Sequence, residues 1–228
     1  MSEVIIYGAG SLGQVVLEIL RSRSYNVIAF IDRDPTKTGE TIAGVPVHRH
    51  RQDLPDPWRS RRISAIVAIG DNRTRVRMAD RLRSANVTLV SAIDPSASIA
   101  KSATVGPHAI ICSRATVCVH AIIHADCVIR SGAIVEHDNV IERGAFLEPA
   151  VRLAGGVTIE QGARVGIGAS IIPGRRVGSH AVVEPGAVVI HNVPERTMVG
   201  GAPAMAICRS GVLKKDTARL FEKRQITP

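Results

Sequence analysis

Of eight histidines in this 228-residue chain, one carries a carboxylate on each side, in Glu136-His137-Asp138. A carboxylate beside an imidazole fixes its tautomer and raises its basicity, as a general base near neutral pH requires. Spacing alone does not single it out, because a solvated corner histidine is the simpler account of the same residues. A second group is the run Gly8-Ala9-Gly10-Ser11-Leu12-Gly13, between the apolar Val4-Ile5-Ile6-Tyr7 and residues 14–23 with helical spacing. Glycines there permit a tight turn and let phosphates approach the backbone N–H groups of a helix N-terminus. Asp32 ends the next apolar run, Val27 to Ile31, where it is placed to take a ribose hydroxyl. This suggests a dinucleotide site, but too few residues precede Asp94-Pro95 for a full dinucleotide fold, and a mononucleotide-diphosphate ligand fits better. The bland alternative is a glycine turn that packs strand on helix. A third group, Ala154-Gly155-Gly156, Gly166-Ile167-Gly168 and Ile172-Pro173-Gly174, serves either corner turns or a smooth groove for a ligand.

The elements that position these residues are legible from periodicity. From Ile93 to Val189 every sixth residue is Ile, Val or Leu, seventeen times without a break, and a small residue follows most of them four places on. Period six is neither helix nor alternating strand; it is a solenoid of hexapeptide rungs. Three rungs per turn put residues 18 apart in vertical register, so His137 lies between Val119 and Gly155, with a gap expected over the imidazole. Residues 3 to about 90 alternate strand and helix, with strands at Val4–Tyr7, Val27–Ile31, Ile63–Ile69 and Val87–Val90, helices over 14–23 and 73–84, and a loop through Gly39–Gly44. That alternation means a parallel sheet. Asp216 to Arg224 reads as a short helix in a polar tail.

Composition narrows the classes. The chain is 45% hydrophobic but only 3% aromatic, which suits a narrow core of Ile, Val, Leu and Ala. The net charge of +9 comes largely from scattered arginines, apart from clusters at Arg59, Arg61, Arg62 and Arg73, Arg75, Arg77. No aromatics interleave with them to stack bases, so nucleic acid is not expected, and small phosphorylated ligands explain the charge equally well. Cys112, Cys118, Cys127 and Cys208 show neither CxxC pairing nor zinc-like spacing, so no metal is expected. No run approaches a membrane span, nothing at the N-terminus reads as a signal peptide, and a cytoplasmic protein is expected.

Together, the glycine-rich α/β unit, Asp94-Pro95-Ser96-Ala97, Val135-Glu136-His137-Asp138, Leu153-Ala154-Gly155-Gly156-Val157-Thr158-Ile159, Ile171-Ile172-Pro173-Gly174 and Gly200-Gly201-Ala202-Pro203-Ala204 resemble the bacterial sugar acetyltransferases. These are the nucleotide-4-amino-sugar N-acetyltransferases and sialic acid O-acetyltransferases. The resemblance spans residues 3–208. It implies an α/β N-terminal Rossmann-like unit followed by a left-handed parallel β-helix of hexapeptide repeats. The expected division is a nucleotide-sugar-binding domain at 1–92, an acyltransferase domain at 93–208 and a polar tail at 209–228. It also implies acetyl-CoA as cosubstrate, a homotrimer with sites between prisms, and a role in surface polysaccharide biosynthesis. His137 would be the base and Asp138 its tuning acid. Gly10, Ser11, Leu12, Gly13, Asp32, Arg33 and Gly70 would hold the nucleotide-sugar, and Phe146, Gly155, Ile167 and Pro185 would contact acetyl-CoA. Phe146 stands where many relatives have a second histidine, and Arg130-Ser131-Gly132 where many have Asn-Thr-Gly, which bears on the sugar accepted. The implied reaction is N-acetylation of a nucleotide-linked amino sugar; O-acetylation of a sugar hydroxyl and a non-catalytic scaffold are the alternatives.

Overall fold

The computed structural model describes residues 2–56 and 62–207. Arg59, Arg61, Cys208 and the expected helix over 216–224 lie outside the described residues. The chain begins with a five-stranded sheet. Its strands are β1 (Glu3–Tyr7), β2 (Asn26–Ile31), β3 (Thr41–Ile42), β4 (Val45–His48) and β5 (Ser64–Val67), in the order β3-β4-β2-β1-β5. All neighbours are parallel except β3 and β4, a hairpin where sequence reading expected a loop. The expected fourth strand at Val87–Val90 is reduced to one bridge, Leu89 to Ala65.

Strand β1 is apolar on both faces because both are covered. Val4 and Ile6 pack under helix α1 (Ser11–Ser22), while Ile5 and Tyr7 pack under helix α2 (Asn72–Ser84) with Ala79 and Leu82. The α1 side is shared with the solenoid. Leu12, Val16 and Leu20 join one core with Ala92, Ile110, Val128 and Phe146.

Those four are a single column, 18 residues apart, on the outside of the solenoid's first face. The solenoid is a left-handed parallel β-helix with three faces of two-residue strands. Its first face runs from Ala92–Ile93 through Ile110–Ile111, Val128–Ile129, Phe146–Leu147 and Arg164–Val165 to Val182–Val183. The second includes Ile134–Val135, Arg152–Leu153 and Ser170–Ile171, and the third Ile122–Ile123, Val140–Ile141 and Thr158–Ile159. The second residue of each strand points inward and builds the core with the small residue four places on, as Ile129, Ile141 and Ile159 do with Ala133, Ala145 and Ala163. Every sixth residue from His108 to Gly186 has positive φ, so one left-handed residue turns each corner. Half of these are glycines, and Asp126 and Asp138 hold two of the others, as short polar side chains tolerate that conformation.

Helix α2 fastens the two parts. Arg75, fully buried, donates from Nε to the Asp126 carbonyl (3.1 Å), from Nη2 to that of Gly144 (2.8 Å) and from Nη1 to that of Ile69 (3.1 Å). Burial is the main influence on this guanidinium and pulls its pKa down to about 10, still far above neutrality. Among the described residues no helix is long and apolar enough to cross a membrane.

Candidate active site

A cavity of about 720 Å³ opens between the C-terminal ends of the parallel strands and the first face of the solenoid. Crevices at strand C-termini are where open α/β sheets take ligands. The glycine-rich turn forms one wall. A β-carbon on Gly13 would lie 2.0 Å from the Gly8 carbonyl oxygen, so only glycine lets α1 start directly against β1. Gly13 thus packs the turn and does not line the cavity, whereas Gly10, Ser11, Leu12, Asp32, Arg33 and Gly70 all do. Asp32 is committed to the same turn. One carboxylate oxygen accepts from the Ala9 N–H (2.8 Å) and Lys37 Nζ (3.3 Å), the other from the Asp34 N–H (3.0 Å). Burial works to raise its pKa, but these hydrogen bonds and the Lys37 charge outweigh it and hold the carboxyl below its ordinary value. Asp32 therefore orders the turn. Among the described residues the lining carries seven Lys and Arg side chains against two carboxylates, a setting suited to a diphosphate.

The solenoid supplies the opposite wall with Arg130, Phe146, Glu148 and Arg164. Phe146 is 2% exposed and lies between two guanidiniums, Arg75 at 5.4 Å and Arg164 at 4.6 Å from its ring centroid. Such cation–π contacts gain strength where water is excluded. Arg164 also donates to the Gly70 carbonyl (3.1 Å) and pairs with Glu148. Phe146 therefore faces the cavity and the α/β unit. The other residues expected at acetyl-CoA lie elsewhere on the prism. Ile167 (52% exposed) and Pro185 stack on successive coils at the corner between the first and second faces, and Gly155 lies at the corner between the second and third.

His137 and Asp138 share the Gly155 corner, one coil below it. The imidazole Nδ1 lies 2.7 Å from Asp138 Oδ2, and the two side chains are 58% and 63% exposed. The bond from His137 is the main influence lowering the Asp138 pKa, with the His120 and His137 charges adding to it. An ionised Asp138 holds the proton on Nδ1 and leaves the Nε2 lone pair facing solvent. Glu136 is not part of the pair; it turns to Cys118, whose thiol is pushed up by burial and then by that carboxylate. The expected gap over the imidazole is filled by the ring itself. A β-carbon on Gly155 would lie 2.4 Å from both Cε1 and Nε2 of His137.

A second His–Asp pair escaped sequence reading because its members are one coil apart, not adjacent. His108 Nδ1 lies 2.7 Å from Asp126 Oδ1, both side chains fully buried where the α/β unit meets the solenoid. Its Nε2 accepts the Val67 N–H at 2.9 Å, so that lone pair is consumed. Asp126 is further held by Arg83 (2.5 Å) and Arg143 (2.7 Å). The 18-residue column was the signal that could have found it. Of the two pairs, only His137 has a nitrogen free to accept a proton. His137 does not line the cavity.

Known proteins resemble this chain in both the α/β unit and the solenoid. The PglD N-terminal domain family matches residues 3–82. UDP-N-acetylbacillosamine N-acetyltransferase of Bacillus subtilis is 36% identical over 109 residues, which cover 45% of this chain and 48% of that protein, so the match spans about half of the curated relative. A histidine-to-asparagine variant of perosamine N-acetyltransferase from Caulobacter crescentus, solved with CoA and GDP-perosamine, is 34% identical with a TM-score of 0.85, covering 91% of this chain and 98% of that one. The acetyltransferase domain of PglB from Neisseria gonorrhoeae, solved with acetyl coenzyme A, shares the fold at 24% identity and a TM-score of 0.80, covering 90% and 98%. On likeness that runs through both the α/β unit and the solenoid, this chain belongs to the bacterial sugar N-acetyltransferase family with hexapeptide repeats.

Proposed function

We propose that the protein transfers the acetyl group of acetyl-CoA to the amine of a nucleotide-linked 4-amino-deoxysugar. The observation that carries this is the pairing of a basic cavity at a glycine-rich turn with an exposed imidazole whose one free nitrogen is oriented by a carboxylate. Gly10, Ser11 and Leu12 receive the diphosphate at the N-terminus of α1, with Asp32 holding the turn and Arg33 and Gly70 on the rim. The exposed Ile167 and the stacked Pro185 suit an apolar pantetheine strip.

The amine nitrogen bonds to the thioester carbonyl carbon, the C–S bond breaks, and sulfur leaves with the electron pair. The proton shed by the nitrogen passes to His137 Nε2, and Asp138 stabilises the imidazolium through Nδ1–H. The Gly155 N–H donates to no acceptor among the described residues, and it adjoins the imidazole, which suits it to the developing oxyanion. No step needs a cysteine nucleophile.

His137 stands at one corner of the prism and the cavity against another face, so a single chain leaves base and substrate apart. This supports a homotrimer in which a second copy brings its corner to the cavity. The exposed Val119 and Ile122, beside His137, suit such a contact. Use of acetyl-CoA supports a cytoplasmic site of action, and likeness to sugar N-acetyltransferases supports a place in surface polysaccharide biosynthesis. The test is CoA thiol release with UDP-, GDP- and dTDP-linked 4-amino sugars, wild type beside His137→Ala. Release with one of them, reduced ~10²–10⁴-fold in the variant, is expected. No release with any amino sugar, or near-normal turnover in the variant, would overturn the reading.

A further inference from the structure

The corners of the solenoid close in a common way. The small residue four places after the inward aliphatic donates its N–H to the carbonyl three residues back, as Ala133 does to Arg130 (3.1 Å), Ala145 to Glu142 (3.1 Å) and Ala169 to Gly166 (3.1 Å). Among the described residues this bond is missing at Ala109 and Cys127 and, along the edge that carries His137, at Asn139, Val157 and Arg175. The Val157 N–H goes instead to Oδ1 of Asn139, one coil below, at 2.6 Å. Asn139 is fully buried, and its Nδ2 has no partner. It occupies the inward position that neighbouring rungs fill with Ala115, Ala121, Ala133 and Ala145.

A buried carboxamide with one end unsatisfied opposes folding, and other rungs fill the same place with alanine or with the apolar Cys127, Val151 and Val157. Its placement is therefore informative. Asn139 follows Asp138 directly, and its one bond reaches the corner 154–157, which presents Gly155 to the imidazole. We propose that Asn139 is a positioning residue, whose carboxamide holds the 154–157 corner in an open turn and so sets Gly155 against His137. Without the acceptor, the buried Val157 N–H must turn toward the Ala154 carbonyl, as most other corners do, or toward water, and either movement carries Gly155 with it. The inference rests on the acetyltransferase reading above for its catalytic consequence, but not for its structural one.

The experiment compares wild type, Asn139→Ala and Asn139→Asp, the last of which keeps an oxygen facing Val157. In Asn139→Ala the expected result is kcat lowered ~10- to 100-fold, the size of effect a displaced catalytic group produces. KM for the nucleotide-sugar should stay within twofold and the thermal midpoint should not fall, because alanine suits the coil. Asn139→Asp should recover most of the lost kcat. Unchanged kcat in Asn139→Ala, or a loss matched by a lower thermal midpoint and weaker nucleotide-sugar binding, would overturn the proposal. A wild type that acetylates no amino sugar would sink the acetyltransferase reading instead. In that case the NMR resonance of the His137 Cε1 proton, on the part of the ring beside Gly155, decides the matter. A shift in Asn139→Ala supports the positioning role, and an unmoved resonance overturns it.

Discussion

Gly155→Ala isolates the contact between the base and its neighbouring coil. A β-carbon at 155 would sit 2.4 Å from Cε1 and Nε2 of His137 and 3.1 Å from Cδ2. Ordinary carbon contacts begin near ~3.5 Å, so the imidazole must withdraw by about 1 Å or rotate off the glycine. Displacement of a catalytic group by ~1 Å costs on the order of 10²-fold in rate. The fold has little reason to object. Gly155 does not have positive φ, and the His137 side chain is 58% exposed and free to swing outward. Replacing glycine where φ is ordinary also narrows the unfolded ensemble, a gain of ~0.4–1 kcal/mol that offsets local strain. The assay is steady-state CoA release with the best nucleotide-linked amino sugar, alongside thermal denaturation. The expected outcome is kcat down about 10²-fold, nucleotide-sugar KM nearly unchanged and a thermal midpoint within a few degrees of wild type. Retention of kcat within threefold would refute the claim that the imidazole must rest on this glycine to act.

Three other outcomes follow from the same contacts. Phe146→Ala empties a site between two guanidiniums at the junction of the α/β unit and the solenoid, and should cost ~3–5 kcal/mol in chemical denaturation. Asp32→Ala frees the Ala9 N–H and should raise nucleotide-sugar KM by roughly 10-fold, the equivalent of one charge-assisted hydrogen bond, with kcat little changed. Burial lowers the His108 pKa in the folded state, which the bond from the Val67 N–H to Nε2 also requires, so unfolded chains bind more protons below ~6.5. Stability from this site is complete above that pH and lost as pH falls toward the folded value. The thermal midpoint should drop between about pH 7.5 and 5.5, and His108→Gln should flatten the drop. Asp126, whose pKa is strongly depressed by His108, Arg83 and Arg143 against the opposing effect of burial, keeps its contribution until much stronger acid.

The hexad repeat was enough to place the inward aliphatics, the small residues between them and the vertical neighbours of His137, because an uninterrupted period leaves only one register for each rung. The glycine-rich turn was equally legible, since close approach of α1 to β1 demands glycine at position 13 whatever surrounds it. Outward-facing residues were a different matter. Phe146 follows the same period as Arg152 and Thr158, and only the docking of α1 and α2 against the first face makes it a buried wall of the cavity. The histidines show the limit most clearly. Both His108 and His137 hold an aspartate at 2.7 Å, and period alone ranks neither above the other. The α/β unit decides between them, because β5 brings the Val67 N–H onto His108 Nε2 and leaves His137 Nε2 open. Local sequence sets which side chains leave the coil together, but whether a lone pair is free depends on what a distant segment packs against it.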